Sequence, residues 1–169
     1  MARNVEIKAR IDSVEALAPR VAELADSGPS EIMQDDTFFA CAVGRLKLRI
    51  FSDTEGQLIF YRRPDIAGPK ESFYIISPTA SPRTLLDALS LAYGQIGQVK
   101  KRRTLFSIGR TRVHLDRVDE IGNFVELEVV LGENESMEAG VAIVHGLLSQ
   151  LGISPGQLVA GAYVDMPHG

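Results

Sequence analysis

Residues 4–11 read Asn4-Val5-Glu6-Ile7-Lys8-Ala9-Arg10-Ile11. Polar and apolar side chains alternate strictly, which is the period of a strand with one wet and one dry face. Asn4, Glu6, Lys8 and Arg10 share one face; Val5, Ile7, Ala9 and Ile11 share the other. A slip of one residue would exchange the two faces, so parity fixes them. The segment 45–50 repeats the pattern, with Arg45, Lys47 and Arg49 against Leu46, Leu48 and Ile50. Later runs carry Lys70, Ser72 and Tyr74, then Lys101 and Arg103, then Arg112, His114 and Asp116. The last places Glu126 and Glu128 against Val125, Leu127 and Val129.

Extended outward, this period predicts eight strands, at about 2–11, 36–43, 45–51, 57–63, 70–77, 98–108, 111–118 and 122–131. Turn signals at Val43-Gly44, Asp53 to Gly56, Gly109-Arg110 and Asp119 to Gly122 join several of them as hairpins. Ser27-Gly28-Pro29-Ser30 and the run from Ser77 to Pro82 read as loops. Three segments have helical period: 13–26, which Pro19 should kink or restart, 81–92 behind Ser81-Pro82, and 136–151, which stops at Gly152. Ser154-Pro155 opens a further short turn. The expected architecture is α+β, one domain over residues 1–169. Short hairpin links argue against a parallel doubly wound sheet, and eight antiparallel strands are enough to close a barrel.

A single charged strand face is ordinarily a solvated surface. Here the charges are not mixed as a surface wants. Lys8, Arg10, Arg45, Lys47, Arg49, Arg63, Lys70, Lys101, Arg103 and Arg112 gather on these faces, more than half of the 18 basic residues of a chain with net charge −4. Like charges opposed across a sheet are destabilising, and a bound polyanion relieves them. In a closed sheet this face becomes the lumen, with helices over the apolar outside.

Other chemistry is thin. The 169 residues hold one cysteine and no tryptophan. Cys41, in an apolar run, reads as buried filler, and no disulfide or structural zinc site can form within the chain. Charged residues follow Met1 at once and no apolar run is long enough to span a bilayer, so a cytoplasmic protein is expected. No P-loop and no G-x-G-x-x-G motif is present. His145 and His168 read as inert; His114 shares parity with the charged face. Arginine and lysine in such number suit a phosphate chain. Glu126-x-Glu128 sets two carboxylates ~7 Å apart on one face, near enough to share a hard cation.

Asn4-x-Glu6-x-Lys8 resembles the E-x-E-x-K signature of the CYTH, or triphosphate tunnel, superfamily. The likeness continues through Gln34-x-Asp36-Thr37-Phe38-Phe39, Arg45-Leu46-Lys47-Leu48-Arg49, Tyr61-x-Arg63-x-Asp65 and Lys70-x-Ser72-x-Tyr74. It goes on in Val99-x-Lys101-x-Arg103, Arg112-Val113-His114-Leu115-Asp116, Gly122-x-Phe124-x-Glu126-x-Glu128 and Tyr163, covering residues 2–165. The start looks like that of the bacterial class IV adenylate-cyclase-like members. The resemblance implies an eight-stranded antiparallel β-barrel whose tunnel binds a triphosphate with Mg²⁺ or Mn²⁺. It implies cyclisation of ATP to cyclic AMP and pyrophosphate; hydrolysis of inorganic, thiamine or nucleoside triphosphate, and binding without turnover, stand as alternatives. Glu6, Asp116, Glu126 and Glu128, with Asn4 beside them, would serve the metal. Lys8, Arg45, Lys47, Arg63, Lys70, Lys101, Arg103 and Arg112 would serve the phosphates, joined on parity by Arg49. Lys8, Arg63 and Lys70 are the expected catalytic residues, with Lys8 or another tunnel lysine taking a proton. The expected partner is a small triphosphate-containing molecule, not DNA or a membrane; a homodimer is left open. The first acid of the signature is Asn4 here, an amide that can ligate a hard cation but brings no charge.

Overall fold

The computed structural model describes residues 2–167. The strands are β1 (Ala2–Ile11), β2 (Ser27–Phe39), β3 (Arg45–Ser52), β4 (Glu55–Arg62), β5 (Lys70–Thr79), β6 (Gln95–Ile108), β7 (Thr111–Val118) and β8 (Gly122–Val130). They close an antiparallel barrel in the order β1-β5-β4-β3-β2-β6-β7-β8. β1 shuts it by pairing on both sides, Glu6 opposite Lys70 of β5 and opposite Glu128 of β8. Three helices lie outside: α1 (Val14–Leu24), α2 (Pro82–Tyr93) and α3 (Met137–Leu151). The architecture expected from parity is the one observed.

The apolar faces point outward into two cores. Val5, Ile7, Val113, Leu115, Val125 and Leu127 meet Val14 and Val21 of α1 and Val144, Leu148 and Leu151 of α3. Full burial of one such side chain is worth about 1.5–3 kcal/mol. Gly140 lets α3 approach β1 closely, since a Cβ there would lie 2.7 Å from Val5. Leu48 and Ile50 of β3 meet Leu85, Leu86 and Leu89 of α2. Ser13 caps α1 by accepting from the Ala16 amide, and Gly152 ends α3 in the left-handed region. No helix among the described residues is long and apolar enough to cross a membrane.

Four sequence expectations need correction. Residues 27–30 are not a loop but the start of β2, with a register shift between Ser27 and Ser30 that absorbs the Gly-Pro pair. β2 ends at Phe39, so Ala40–Gly44 is a longer connection, and Cys41 lies exposed in it rather than buried. β5 runs on to Thr79, where Pro78 faces Gln57 on its one paired side. Pro19 neither breaks nor restarts α1; it sits on the exposed side, where water can take the carbonyl it leaves unpaired. His145 is exposed on α3, and His168 falls outside the described residues.

Candidate functional site

The barrel encloses a cavity of about 300 Å³ lined from all eight strands. Its lining takes one parity from each: Asn4, Glu6 and Lys8; Gln34, Asp36 and Phe38; Lys47 and Arg49; Tyr61 and Arg63; Ser72 and Tyr74; Lys101 and Arg103; Arg112 and His114; Glu126 and Glu128. Seven Lys and Arg face four Asp and Glu in this lining. Apolar residues Ile32, Phe51, Ile76 and Leu105 complete it. The strand directions place them toward the lower mouth, the end at which β1 starts.

The upper mouth, where β1 ends, is crossed by residues 158–165. Leu158 bridges to Ala9, and the Val159 amide donates to the Lys8 carbonyl. The Gly161 carbonyl accepts from Lys8 Nζ at 3.4 Å and from Arg63 at 3.2 Å. Tyr163 donates its hydroxyl to Asp116 at 2.8 Å and stacks at 4.8 Å on Phe124 of β8. Lys8 Nζ stands 3.9 Å above the Tyr163 ring. Asp165 pairs with Arg45 of β3. A segment that touches β1, β3, β7 and β8, and Arg63 just past β4, must pass over the opening.

Two walls differ in charge. On β2, β3 and β6, Asp36 is fully buried; Arg49 donates to both its oxygens at 2.8 and 2.9 Å, and Lys47 and Lys101 each lie 3.2 Å away. Burial pushes the Asp36 carboxyl up, but these three cations hold it well below its ordinary range. Burial, partly offset by Asp36, lowers Lys101 to about 8. On β1, β7 and β8, Glu6 pairs with Arg63, Glu128 with Arg112, and Glu126 lies 3.8 Å from Lys8 and 3.3 Å from His114 Nδ1. Burial and the Glu126 carboxylate push Glu6 up, against the pull of Arg63. Burial lowers Lys8 to about 8, with Arg63 adding to the effect.

This second wall fits a divalent cation. His114, Glu126 and Glu128 offer ligand atoms all within 4.8 Å of one another. Asn4, 2% exposed on the same lumen face, has a buried Oδ1 with no hydrogen-bond partner. Such an orphan acceptor costs about 1–3 kcal/mol unless something ligates it. Burial and the nearby Glu126 carboxylate keep Glu6 raised even beside Arg63, a repulsion that a cation between the two acids would relieve.

The lumen thus brings together Lys8, Lys47, Arg49, Arg63, Lys101, Arg103 and Arg112 with Asn4, Glu6, Glu126 and Glu128. It does not bring in the rest. Arg45 sits at the upper rim between Asp165 and Asp65. Lys70 is buried beside the lumen and donates to the Ile66 carbonyl at 2.7 Å. Asp116 lies behind Arg103, which grips both its oxygens at 2.8 Å, and is set to about 2 where burial raises and Arg103 lowers it. Arg10 is exposed, donating to the Ile121 carbonyl and covering Phe124. Sequence reasoning passed over Asp36 as the anchor of the cationic wall, although it shares parity with Gln34 and Phe38.

Against this geometry the comparisons are informative. The CYTH domain model matches residues 2–163. The chain belongs to the CYTH domain family. Among curated CYTH-related proteins, it is 24% identical over 171 residues to adenylate cyclase CyaB of Aeromonas hydrophila, covering 95% of this chain and 86% of that one. Among solved structures, protein PH1012 of Pyrococcus horikoshii has a similar fold at a TM-score of 0.85 and 20% identity, over 96% of this chain and 98% of that one. The adenylyl cyclase-like HpAC1 of Hippeastrum, described as having a dominant triphosphatase activity, aligns at a TM-score of 0.64 and 18% identity, covering 94% and 91%.

Proposed function

We propose that this CYTH protein is a divalent-metal-dependent enzyme acting on the triphosphate chain of a nucleotide, cyclising ATP to cyclic AMP with release of pyrophosphate. The observation that carries the reading is the division of one lumen into a cationic wall around Asp36 and a carboxylate wall around Glu126. A phosphate chain finds Arg49, Lys47, Lys101, Arg103 and Arg112 already aimed inward, held in place by acids that exchange partners when it enters. The apolar lower mouth of Ile32, Phe51, Ile76 and Leu105 offers a surface to a nucleobase.

Glu6, Glu126 and Glu128 would hold Mg²⁺ or Mn²⁺, with the Asn4 amide oxygen beside them. The ion supplies charge neutralisation and polarisation of the phosphate oxygens when bound. Arg63, doubly anchored by Glu6 and the Gly161 carbonyl, stabilises charge developing on phosphorus. In cyclisation the ribose 3′-oxygen attacks the α-phosphorus, its proton passes to a base, and the bond to the β-phosphate oxygen breaks. Lys8, lowered to about 8, is neutral in part at neutral pH and suits that base. Lys70, bonded to a backbone carbonyl beside the lumen, is a positioning residue for Glu6, which it faces across β1 and β5.

Hydrolysis is the second reading, favoured by the activity described for HpAC1. The deciding experiment incubates the protein with ATP, inorganic triphosphate and thiamine triphosphate, each with Mg²⁺ or Mn²⁺. Cyclic AMP with stoichiometric pyrophosphate, abolished in Glu126→Gln, is the expected result. Orthophosphate without cyclic nucleotide transfers the assignment to a triphosphatase; binding without product makes the protein a sensor.

A further inference from the structure

We propose that His114 is itself a ligand of the lumenal cation, and that the site thereby selects a first-row transition ion such as Mn²⁺ over Mg²⁺. This rests on the metal-dependent reading above and names the ion it uses. His114 lies on β7 directly opposite Glu126 of β8 and faces the lumen beside it. The residue is 4% exposed, and its Nδ1 lies 3.3 Å from Glu126 Oε1. One ligand atom from each of His114, Glu126 and Glu128 falls within 4.8 Å of the others, close enough for one ion to touch all three.

A second observation points the same way. Asn4, on the same lumen face, presents an amide Oδ1 that is buried and unpartnered. The wall therefore offers a neutral oxygen and an imidazole nitrogen beside its two carboxylates. Mg²⁺ prefers oxygen donors in a near-ideal octahedron and keeps its waters. Imidazole suits first-row transition ions, the later ones most; Mn²⁺, at the weak end of that series, is the member closest to Mg²⁺ and so sets the most demanding comparison. Leu105 faces His114 from β6, and the nearby Asp116 has both its oxygens taken by Arg103.

The competing account makes His114 a positioning residue that only steers Glu126 through the 3.3 Å contact. Outer partners of that kind cost about 10- to 100-fold in affinity when removed, but weaken every ion alike. The test strips the full-length protein with chelator and titrates Mn²⁺ and Mg²⁺ by calorimetry, for wild type, His114→Gln and Glu126→Gln. Wild type should bind Mn²⁺ more tightly than Mg²⁺, and His114→Gln should lose most of that preference while Mg²⁺ affinity moves little. Pulsed electron paramagnetic resonance of Mn²⁺-loaded wild type should show ¹⁴N coupling from a coordinated imidazole, a readout that needs no variant to fold. Mn²⁺ bound without ¹⁴N coupling, or equal losses for both ions in His114→Gln, overturns the assignment while leaving the metal reading intact. If neither ion binds wild type, or Glu126→Gln leaves binding unchanged, both fall.

Discussion

On the β2–β3–β6 wall one carboxylate, Asp36, lies beneath Arg49, Lys47 and Lys101; on the β1–β7–β8 wall Glu126 and Glu128 close on the His114 imidazole, with Glu6 on the same lumen face. Both walls are built by the same device, alternation along antiparallel strands, and both are buried. They differ in charge balance. The first sets three cations on one acid, and its Lys101 is lowered to about 8. In the second each acid has a basic partner, yet burial and the neighbouring Glu126 hold Glu6 above its ordinary range. A polyanion answers the excess of the first wall, and a cation between Glu6 and Glu126 relieves the repulsion in the second.

The sharpest way to break this contrast is Asp36→Asn. It leaves three buried cations without their counter-charge, and breaking a buried pair costs about 3–5 kcal/mol. Denaturant unfolding should register that loss, and saturating inorganic triphosphate should restore part of it. An unchanged midpoint would show that the wall does not need its acid. Next comes Arg49→Ala, which removes a charge-assisted contact of about 1.5–3 kcal/mol. Triphosphate binding should weaken about 10- to 100-fold, monophosphate binding less; equal losses would mean a non-specific basic surface.

Proton uptake gives a smaller effect. Lys101 in the free protein has a pKa of about 8, and a bound polyanion raises it. Above pH 8 the free protein has lost a proton that the complex keeps, so affinity falls as pH rises, by at most about tenfold per unit for this lysine. Calorimetry in two buffers of unlike ionisation enthalpy at pH 8.5 measures the uptake, and Lys101→Arg should flatten it. Smallest of all is Glu128→Gln on stability. Arg112 is 40% exposed and its partner 15%, so the pair should be worth no more than about 1 kcal/mol. A loss comparable to that of Asp36→Asn would erase the difference between the walls.

The lumen was largely legible because period two is a local property. Any six residues of β1 or β3 declare their faces, and the faces assemble when the sheet closes. Height along the barrel is not local. Parity gave Asp116 the same face as Arg112, but the register sets it beside Arg103 and under Tyr163, with both its oxygens engaged by Arg103. Arg45 and Arg10 are likewise on the charged face yet at its upper edge. Asp36 gains its meaning only from β3 and β6, which lie on either side of it in space. Residues 27–30 misled because Gly-Pro reads as a turn, whereas a register shift inside β2 accommodates it. Residues 158–165, apart from Tyr163, carried no signal, since an irregular segment has no period to read.

That segment separates two events in the life of the chain. During synthesis β8 emerges by Val130, after which every strand of the ring can pair. The Gly161 carbonyl and the Tyr163 ring, which steady Lys8, Arg63 and Asp116, follow some thirty residues later. A proteolytic nick between Ile153 and Ser154 would spare every named strand and all three helices. Such a clipped molecule would pass for native by circular dichroism yet hold its lumenal side chains loosely, so quality control of a preparation belongs at the C-terminal peptide, read by mass spectrometry.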